Sequence, residues 1–351
     1  MTAAKKKNSR RKQARFRSSR RKRIRNTVLL LLLLVVLGGT GIGAIYVLRN
    51  GTVFDKLEDA YVASREFSGG ITDLDSLRAD GFAKNLCVVV SDVPMDGVSL
   101  GENQKGLLLD LDDRKVLYSK QALQKVYPAS STKIMTAMLA LKYGNMDDVV
   151  TITQENLNLE EGSQVCGFWA GDQVTMDQLL HCLLVYSGND AAAAIAEHVG
   201  GSTDGFVEMM NSYARELGCT GTHFTNPHGL QDENHYTTPY DIYLMLKEAL
   251  NYPEFTQITQ SGSYTVEYTH ADGSSASTTL LATDHYLTGE ATPPKNVTIL
   301  GGKTGTTDNA GNCLALLSQN AYGKPYISIV MGASTKDELY EQMSSLLQNI
   351  N

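Results

Sequence analysis

The chain has 351 residues, 42% of them hydrophobic, with 31 Lys and Arg against 38 Asp and Glu, enough to bury a core as one large domain or two small ones. The charge is unevenly spread: residues 1–49 hold 14 of the basic residues and no acidic one, which leaves 17 basic against 38 acidic residues beyond them. That balance excludes nucleic acid as a partner, because a phosphate backbone needs basic surface to displace its counterions, and it repels other polyanions.

Residues 1–26 are a polybasic tail, densest at Lys5, Lys6, Lys7, Arg10, Arg11 and Lys12 and again over residues 20–23. Residues 27–48 carry no charge and are long enough to cross a bilayer core. The basic flank stays in the cytoplasm, so the expectation is a single-pass signal-anchor in the cytoplasmic membrane, with everything after Arg49 outside. Gly41-Ile42-Gly43 offers a small-x-small cleavage site, and a removed signal peptide leaving a secreted protein is the rival reading. Apolar character continuing through Ile45, Val47 and Leu48 favours retention. Residues 49–83 are polar and weakly periodic, a linker, and residues 84–351 form the folded domain.

Within that domain, residues 86–90 and 106–111 are short and strand-like. Asp112-Asp113-Arg114-Lys115 makes a turn, from which residues 116–118 pair back as a hairpin. Pro128 suits the first turn of a helix that runs on through Ile134, Met135, Met138, Leu139 and Leu141. Further helices are expected over 176–185, 190–199, 205–217 and 239–250. Strands return at 263–268 and 277–281, and 314–318 with 326–331 form a hairpin. The last fifteen residues place Leu339, Met343, Leu346, Leu347 and Ile350 on one helical face, docked on the sheet. Strands at both ends with helices between them predict an α+β fold whose sheet has edges far apart in sequence.

Cys87, Cys166, Cys182, Cys219 and Cys313 form no paired or metal-ligand spacing and read as buried thiols. His223, His228 and His235 lack an H-E-x-x-H arrangement, so no metal or other cofactor is expected.

Three short motifs carry the chemistry. In Pro128-Ala129-Ser130-Ser131-Thr132-Lys133, residues three apart share a helix face, so the Ser130 hydroxyl meets the Lys133 amine. The positive end of the helix dipole favours the charge that builds as Ser130 attacks a carbonyl. Lys133 must be neutral to take the proton, and burial with a second cation nearby lowers its pKa toward that state. The pattern is cheap alone: Ser9 and Ser19 open matching S-x-x-K strings inside the basic tail. Ser187-Gly188-Asn189 lies between two helices, where a loop projects a hydroxyl and an amide; Ser318-Gln319-Asn320 has the same form. Lys303-Thr304-Gly305 occurs once. Gly305, with Gly301 and Gly302 before the lysine, lets backbone approach a ligand, and Lys303 supplies a cation for a carboxylate.

The order and separation of these motifs, 57 residues from Ser130 to Ser187 and 116 from there to Lys303, resemble the serine penicillin-recognising enzymes. The longer strings from Pro128 to Ala137, Ser187-Gly188-Asn189-Asp190-Ala191-Ala192, Asn226-Pro227-His228-Gly229-Leu230 and Gly302-Lys303-Thr304-Gly305-Thr306-Thr307 look like the D-alanyl-D-alanine carboxypeptidases, the low-molecular-mass penicillin-binding proteins. The likeness covers roughly residues 85–340. It implies a mostly antiparallel sheet flanked by helices, with a helical subdomain and the active site between them.

By the same likeness Ser130 is the acyl-enzyme nucleophile, Lys133 its base, and Ser187 the proton relay to the leaving D-alanine. Asn189 holds the substrate amide, Lys303 biases the site, and Thr304 and Thr306 meet the terminal carboxylate. The Ser130 and Thr306 N–H groups form the oxyanion hole. The implied substrate is the peptidoglycan stem pentapeptide, and β-lactams are covalent inhibitors. Thr306 stands where many relatives carry His. A β-lactamase is the nearest rival, but no E-x-x-L-N string lies between Asn189 and Lys303, and Gly188 stands where those enzymes usually have Asp. A D,D-endopeptidase uses the same residues, and a silent penicillin sensor is the non-enzymatic alternative.

Overall fold

Alternating apolar residues build a sheet with a separate core on each face. The computed structural model describes residues 85–350; the expected tail, membrane span and linker lie outside the described residues. Among the described residues, no helix is long and apolar enough to cross a membrane.

The chain runs through Lys105–Asp110 (β1) and Lys115–Lys120 (β2), a 3-10 turn at Ala129–Thr132, and Lys133–Tyr143 (α1). Val149–Thr151 (β3) and Gln173–Thr175 (β4) precede Met176–His181 (α2), Asn189–Gly200 (α3), Thr203–Glu216 (α4), Pro239–Ala249 (α5) and Pro253–Thr259 (α6). Then come Ser263–Thr269 (β5), Ser275–Leu281 (β6), His285–Thr288 (α7), Thr298–Thr307 (β7), Gly311–Gln319 (β8), Pro325–Ala333 (β9) and Lys336–Leu347 (α8).

The larger sheet has the order β2-β1-β9-β8-β7 and is antiparallel throughout, so its edges, β2 and β7, are far apart in sequence as expected, and the first strand lies beside the last. Successive strand residues point to opposite faces. Leu107 and Leu109 of β1, Ala315 and Leu317 of β8 and Ile327 and Ile329 of β9 join the core shared with α1 and α5. Leu108, Leu314, Leu316 and Val330 join the opposite core, closed by Leu339, Met343, Leu346 and Leu347 of α8. Burial on both faces leaves β7 as one edge of the sheet. A smaller antiparallel sheet, β3-β4-β5-β6, joins the two strands expected near 263–268 and 277–281 to two that were not expected. Its first two strands are three residues each, too short to read from alternation.

Residues 86–90 depart from the expectation. They alternate as a strand does, Cys87 and Val89 buried and Val88 and Val90 exposed, yet form no ladder. Two hydroxyls from α5 take the place of a partner strand: Cys87 N–H donates to Tyr243 Oη at 2.9 Å, and Tyr240 Oη–H donates to the Cys87 carbonyl at 3.0 Å. The single helix expected over 176–185 also divides. After α2 the backbone widens into a π-turn at Cys182–Tyr186, a feature without a hydrophobic period of its own. All five cysteines are buried thiols.

Candidate active site

The nucleophile turn is tighter than the expected α-helix start. Ala129–Thr132 is a 3-10 turn and α1 begins only at Lys133. Residues three apart eclipse in that geometry, which brings Lys133 Nζ to 3.0 Å from Ser130 Oγ. Ala129 pays for the turn with φ 46°, a left-handed conformation costing a residue with a Cβ about 1–3 kcal/mol. Gly229 makes room for it. At φ +92°, a Cβ on Gly229 would collide with the Ala129 carbonyl.

Lys133 is fully buried and sees three polar atoms. Nζ lies 2.6 Å from Asn189 Oδ1, 2.8 Å from the His228 carbonyl and 3.0 Å from Ser130 Oγ. The first two can only accept. A neutral amine has two N–H groups, and these two oxygens take both, so its lone pair faces the Ser130 hydroxyl. Burial holds the Lys133 pKa well below the usual lysine range, and the Lys303 ammonium pushes it further down.

The π-turn delivers Ser187 in a left-handed conformation, φ 72°. Its Oγ lies 2.9 Å from Lys303 Nζ. Asn189 opens α3, and Asp190 behind it is fully buried, its carboxylate accepting from Cys166 N–H at 2.8 Å and Gly167 N–H at 3.2 Å. Residues 162–164, tied to α3 by Asn189 N–H donating to the Gln164 carbonyl at 2.8 Å, line the cleft.

Lys303, Thr304, Gly305 and Thr306 lie on edge strand β7. Alternation turns Lys303 and Gly305 toward the Ser130 side and Thr304 and Thr306 toward α8. Lys303 is buried, also donates to the Thr304 carbonyl at 3.0 Å, and is pushed down to about 7 by burial, with Asp284 opposing. A Cβ at Gly305 would lie 2.9 Å from Ser130 N, so glycine keeps that N–H open to a ligand. Thr304 Oγ1 shares a hydrogen bond with Thr283 Oγ1 at 2.5 Å, and Thr306 Oγ1 donates to Asn312 Oδ1 at 3.1 Å. These residues enclose a cleft of about 340 Å³ that Ser130, Ser187, Asn189, Thr304, Gly305 and Thr306 all line.

The structure therefore gathers every motif residue singled out in the sequence except the decoys. Ser318 is buried on β8 and Asn320 sits in its turn to β9, neither lining the cleft; Ser9 and Ser19 fall outside the described residues. Three contributors lie outside the S-x-x-K, S-x-N and K-T-G motifs. His228 acts through its carbonyl, presented by a turn in which Gly229 N–H donates to Asn226 Oδ1 at 2.7 Å; the Asn-Pro-His-Gly string was its trace. Lys336, exposed at the start of α8, adds a second cation to the rim. His235 supports the turn from behind.

His235 is held in one tautomer. Thr225 N–H donates to Nδ1 at 3.0 Å, so the ring proton sits on Nε2 and donates to Thr132 Oγ1 at 2.8 Å, whose own proton goes to the Ala129 carbonyl at 2.8 Å. Burial pushes His235 down to about 4 and His228 to about 3. Both rings stay neutral in the fold while the unfolded chain protonates near 6.5. Their contribution to stability is therefore complete above that pH and is lost as pH falls toward about 4 for His235 and about 3 for His228. Thermal denaturation should show the loss across that window. His235→Ala should cost about 2–4 kcal/mol, whereas His235→Gln, which supplies one acceptor and one donor, should recover most of it and flatten the acid dependence. Equal stability of the Ala and Gln variants would refute the relay. Among the described residues no group of three His, Cys, Asp or Glu side chains could hold a metal.

The family described as D-alanyl-D-alanine carboxypeptidase matches residues 101–335. Over 251 residues the chain is 36% identical to the D-alanyl-D-alanine carboxypeptidase DacF of Bacillus subtilis (strain 168), covering 70% of this chain and 61% of that protein. It is 32% identical over 256 residues to DacA of Haemophilus influenzae, with the same coverage. The chain thus spans about three-fifths of the length of these relatives. Among solved structures, the DD-transpeptidase of Streptomyces superposes with a TM-score of 0.65 at 27% identity, over 74% of this chain and 98% of that one.

Proposed function

The chain belongs to the D-alanyl-D-alanine carboxypeptidase family, and we propose that it is a serine-type carboxypeptidase removing the terminal D-alanine of a peptidoglycan stem pentapeptide. The observation that carries this reading is the environment of Lys133: Nζ lies against two fixed acceptors and the Ser130 hydroxyl, so that once the amine is neutral the acceptors take its two protons and its lone pair is left for Ser130.

The chemistry follows from that arrangement. Ser130 gives its proton to Lys133 Nζ as Oγ bonds to the carbonyl carbon of the penultimate residue. The Ser130 and Thr306 N–H groups receive the oxyanion. Collapse breaks the C–N bond, the departing amine takes through Ser187 the proton that Lys133 had accepted, and D-alanine leaves an ester on Ser130. Water, deprotonated by the regenerated Lys133 amine, hydrolyses the ester and restores the hydroxyl. Lys303 and Lys336 supply positive charge for the terminal carboxylate, and Thr304 and Thr306 supply hydroxyls. Asn189, its Oδ1 held by Lys133, offers its amide nitrogen to the peptide. A substrate backbone can add alongside edge strand β7. A β-lactam enters the same path and stops at the ester.

The uncharged stretch 27–48 beside a basic flank supports anchoring in the cytoplasmic membrane, with the catalytic domain outside. Incubating the protein with a D-Ala-D-Ala-terminated pentapeptide and measuring free D-alanine tests the activity. Release accompanied by a stable penicillin adduct on the Ser130 peptide is the expected result. No release, or a penicillin adduct discharged within seconds, would refute the carboxypeptidase reading, the latter in favour of a β-lactamase.

A further inference from the structure

Trp169 is the one tryptophan of the chain, and it stands 67% exposed. Its side chain is nevertheless fixed. The indole stacks on His270, ring centroids 4.7 Å apart and planes 18° from parallel. Asp172, 1% exposed, holds the main chain of one partner and the ring of the other: one carboxylate oxygen accepts the Trp169 backbone N–H at 2.8 Å and the other accepts His270 Nδ1–H at 2.7 Å. His270 meets Tyr268 edge-on at 5.4 Å, and Tyr268 meets Phe168 edge-on at 5.2 Å. A buried carboxylate and a layer of rings thus support a flat apolar plate that is open to water. Leaving so large an apolar side chain outside gains the fold little, and a plate with an apolar face and a polar rim suits a ligand of the same make-up.

The loop that carries Trp169 also walls the catalytic cleft. Gly162, Ser163 and Gln164 line the cleft, and the Gln164 carbonyl accepts Asn189 N–H at 2.8 Å. Trp169 is five residues beyond Gln164, a reach of at most about 17 Å. An extended pentapeptide spans about the same length. With its D-alanine end at Ser130, such a peptide is long enough to carry the sugar to which it is joined over a distance of that order.

We propose that Trp169, backed by His270, is a carbohydrate platform that stacks against an N-acetylated amino sugar of the glycan strand bearing the stem peptide. This deepens the carboxypeptidase reading and rests on it for the identity of the polymer. The platform makes the enzyme prefer peptide attached to glycan over free peptide, and it acts on binding.

The single tryptophan makes the test direct. Titrating the full-length protein with a chitin tetrasaccharide and with peptide-free glycan strands should give a saturable change in intrinsic fluorescence, absent with anionic lipid vesicles. Trp169→Ala and His270→Ala should raise KM for glycan-linked pentapeptide about five- to tenfold, leaving kcat, KM for the free pentapeptide and the penicillin acylation rate as in the wild type. Trp169→Phe should retain part of the preference. Fluorescence unmoved by either glycan, a response to vesicles alone, or variants equally impaired on free and glycan-linked peptide would each overturn the proposal. A wild-type protein that releases no D-alanine from any substrate would sink the hydrolase reading, while the fluorescence titration would still decide the platform.

Discussion

Lys133→Ala should slow acylation of Ser130 by roughly 10⁴-fold, the scale lost when a nucleophile is deprived of its base. The argument depends on proton inventory. In the folded protein Asn189 Oδ1 and the His228 carbonyl both accept from Nζ, so the neutral amine has one orbital left, and it points at Ser130 Oγ. Lys133→Arg is the informative companion. A guanidinium supplies a fixed charge and keeps the donors but has no lone pair at any attainable pH, so it should be as slow as alanine. Acylation by a labelled penicillin, followed in a rapid-mixing instrument, reads both variants. A Lys133→Arg rate within tenfold of wild type would show that charge suffices and that Lys133 is no base. Both variants leave two buried acceptors short of a donor or crowded by a larger one, so a loss of about 1–3 kcal/mol in stability is expected alongside.

How much of this site could be read from the chain alone varied with the kind of group involved. Side chains that act through their own functional atoms at fixed spacings were legible: Ser130 and Lys133 three apart, Ser187 and Asn189 two apart, Lys303 to Thr306 in one strand. Groups acting through backbone were not. The His228 carbonyl that orients Lys133 has no residue-type signature, and the left-handed Ser187 depends on a π-turn in which residues 182–186 look like ordinary apolar helix. The same division holds for the fold. β1, β8 and β9 alternate cleanly because opposite cores cover their two faces. Residues 86–90 alternate as well, yet their partners are two tyrosine hydroxyls 150 or so residues away that no local pattern announces. Clamps such as Asp190 on the loop at 166–167 and Asp172 on Trp169 became visible only once the loop was closed against α3 and β5.

Two of the residues with positive φ show what those hidden contacts accomplish at the cleft. Ala129 and Ser187 both take positive φ, and each adjoins or is a residue of the cleft. Strain of this kind persists only where the surroundings over-determine it. At Ala129 they are Gly229, which leaves room for the carbonyl, and the His235–Thr132 relay that bonds it. At Ser187 they are Gly188 N–H, which donates to the Cys182 carbonyl at 3.1 Å, and Thr283 N–H, which donates to that of Val185 at 3.1 Å. Hydroxyl and amine are thereby held in register before substrate arrives, which is where positioning contributes to rate.

Lys303→Ala should move the pH profile of acylation as well as lower it. Lys133 is depressed first by burial and then by the positive charge of Lys303. Removing that charge makes protonated Lys133 less unfavourable, so its pKa rises and a smaller fraction is neutral at any given pH. The acid limb of kcat/KM must therefore shift to higher pH in the variant. The alkaline limb behaves oppositely. In the wild type Lys303, pushed down to about 7, loses its proton as pH rises through that region, and with it the attraction for a substrate carboxylate; the variant has no such proton to lose and should lack that limb. At neutral pH the loss in kcat/KM should be roughly 10²- to 10³-fold, a charge-assisted contact to the substrate together with a less available base. Measuring kcat/KM for the pentapeptide from pH 5 to 10 separates the two effects. An acid limb that stays where it was in the wild type would show that the two ammonium groups do not feel each other across the cleft, and the account of how Lys133 is kept neutral would then rest on burial alone.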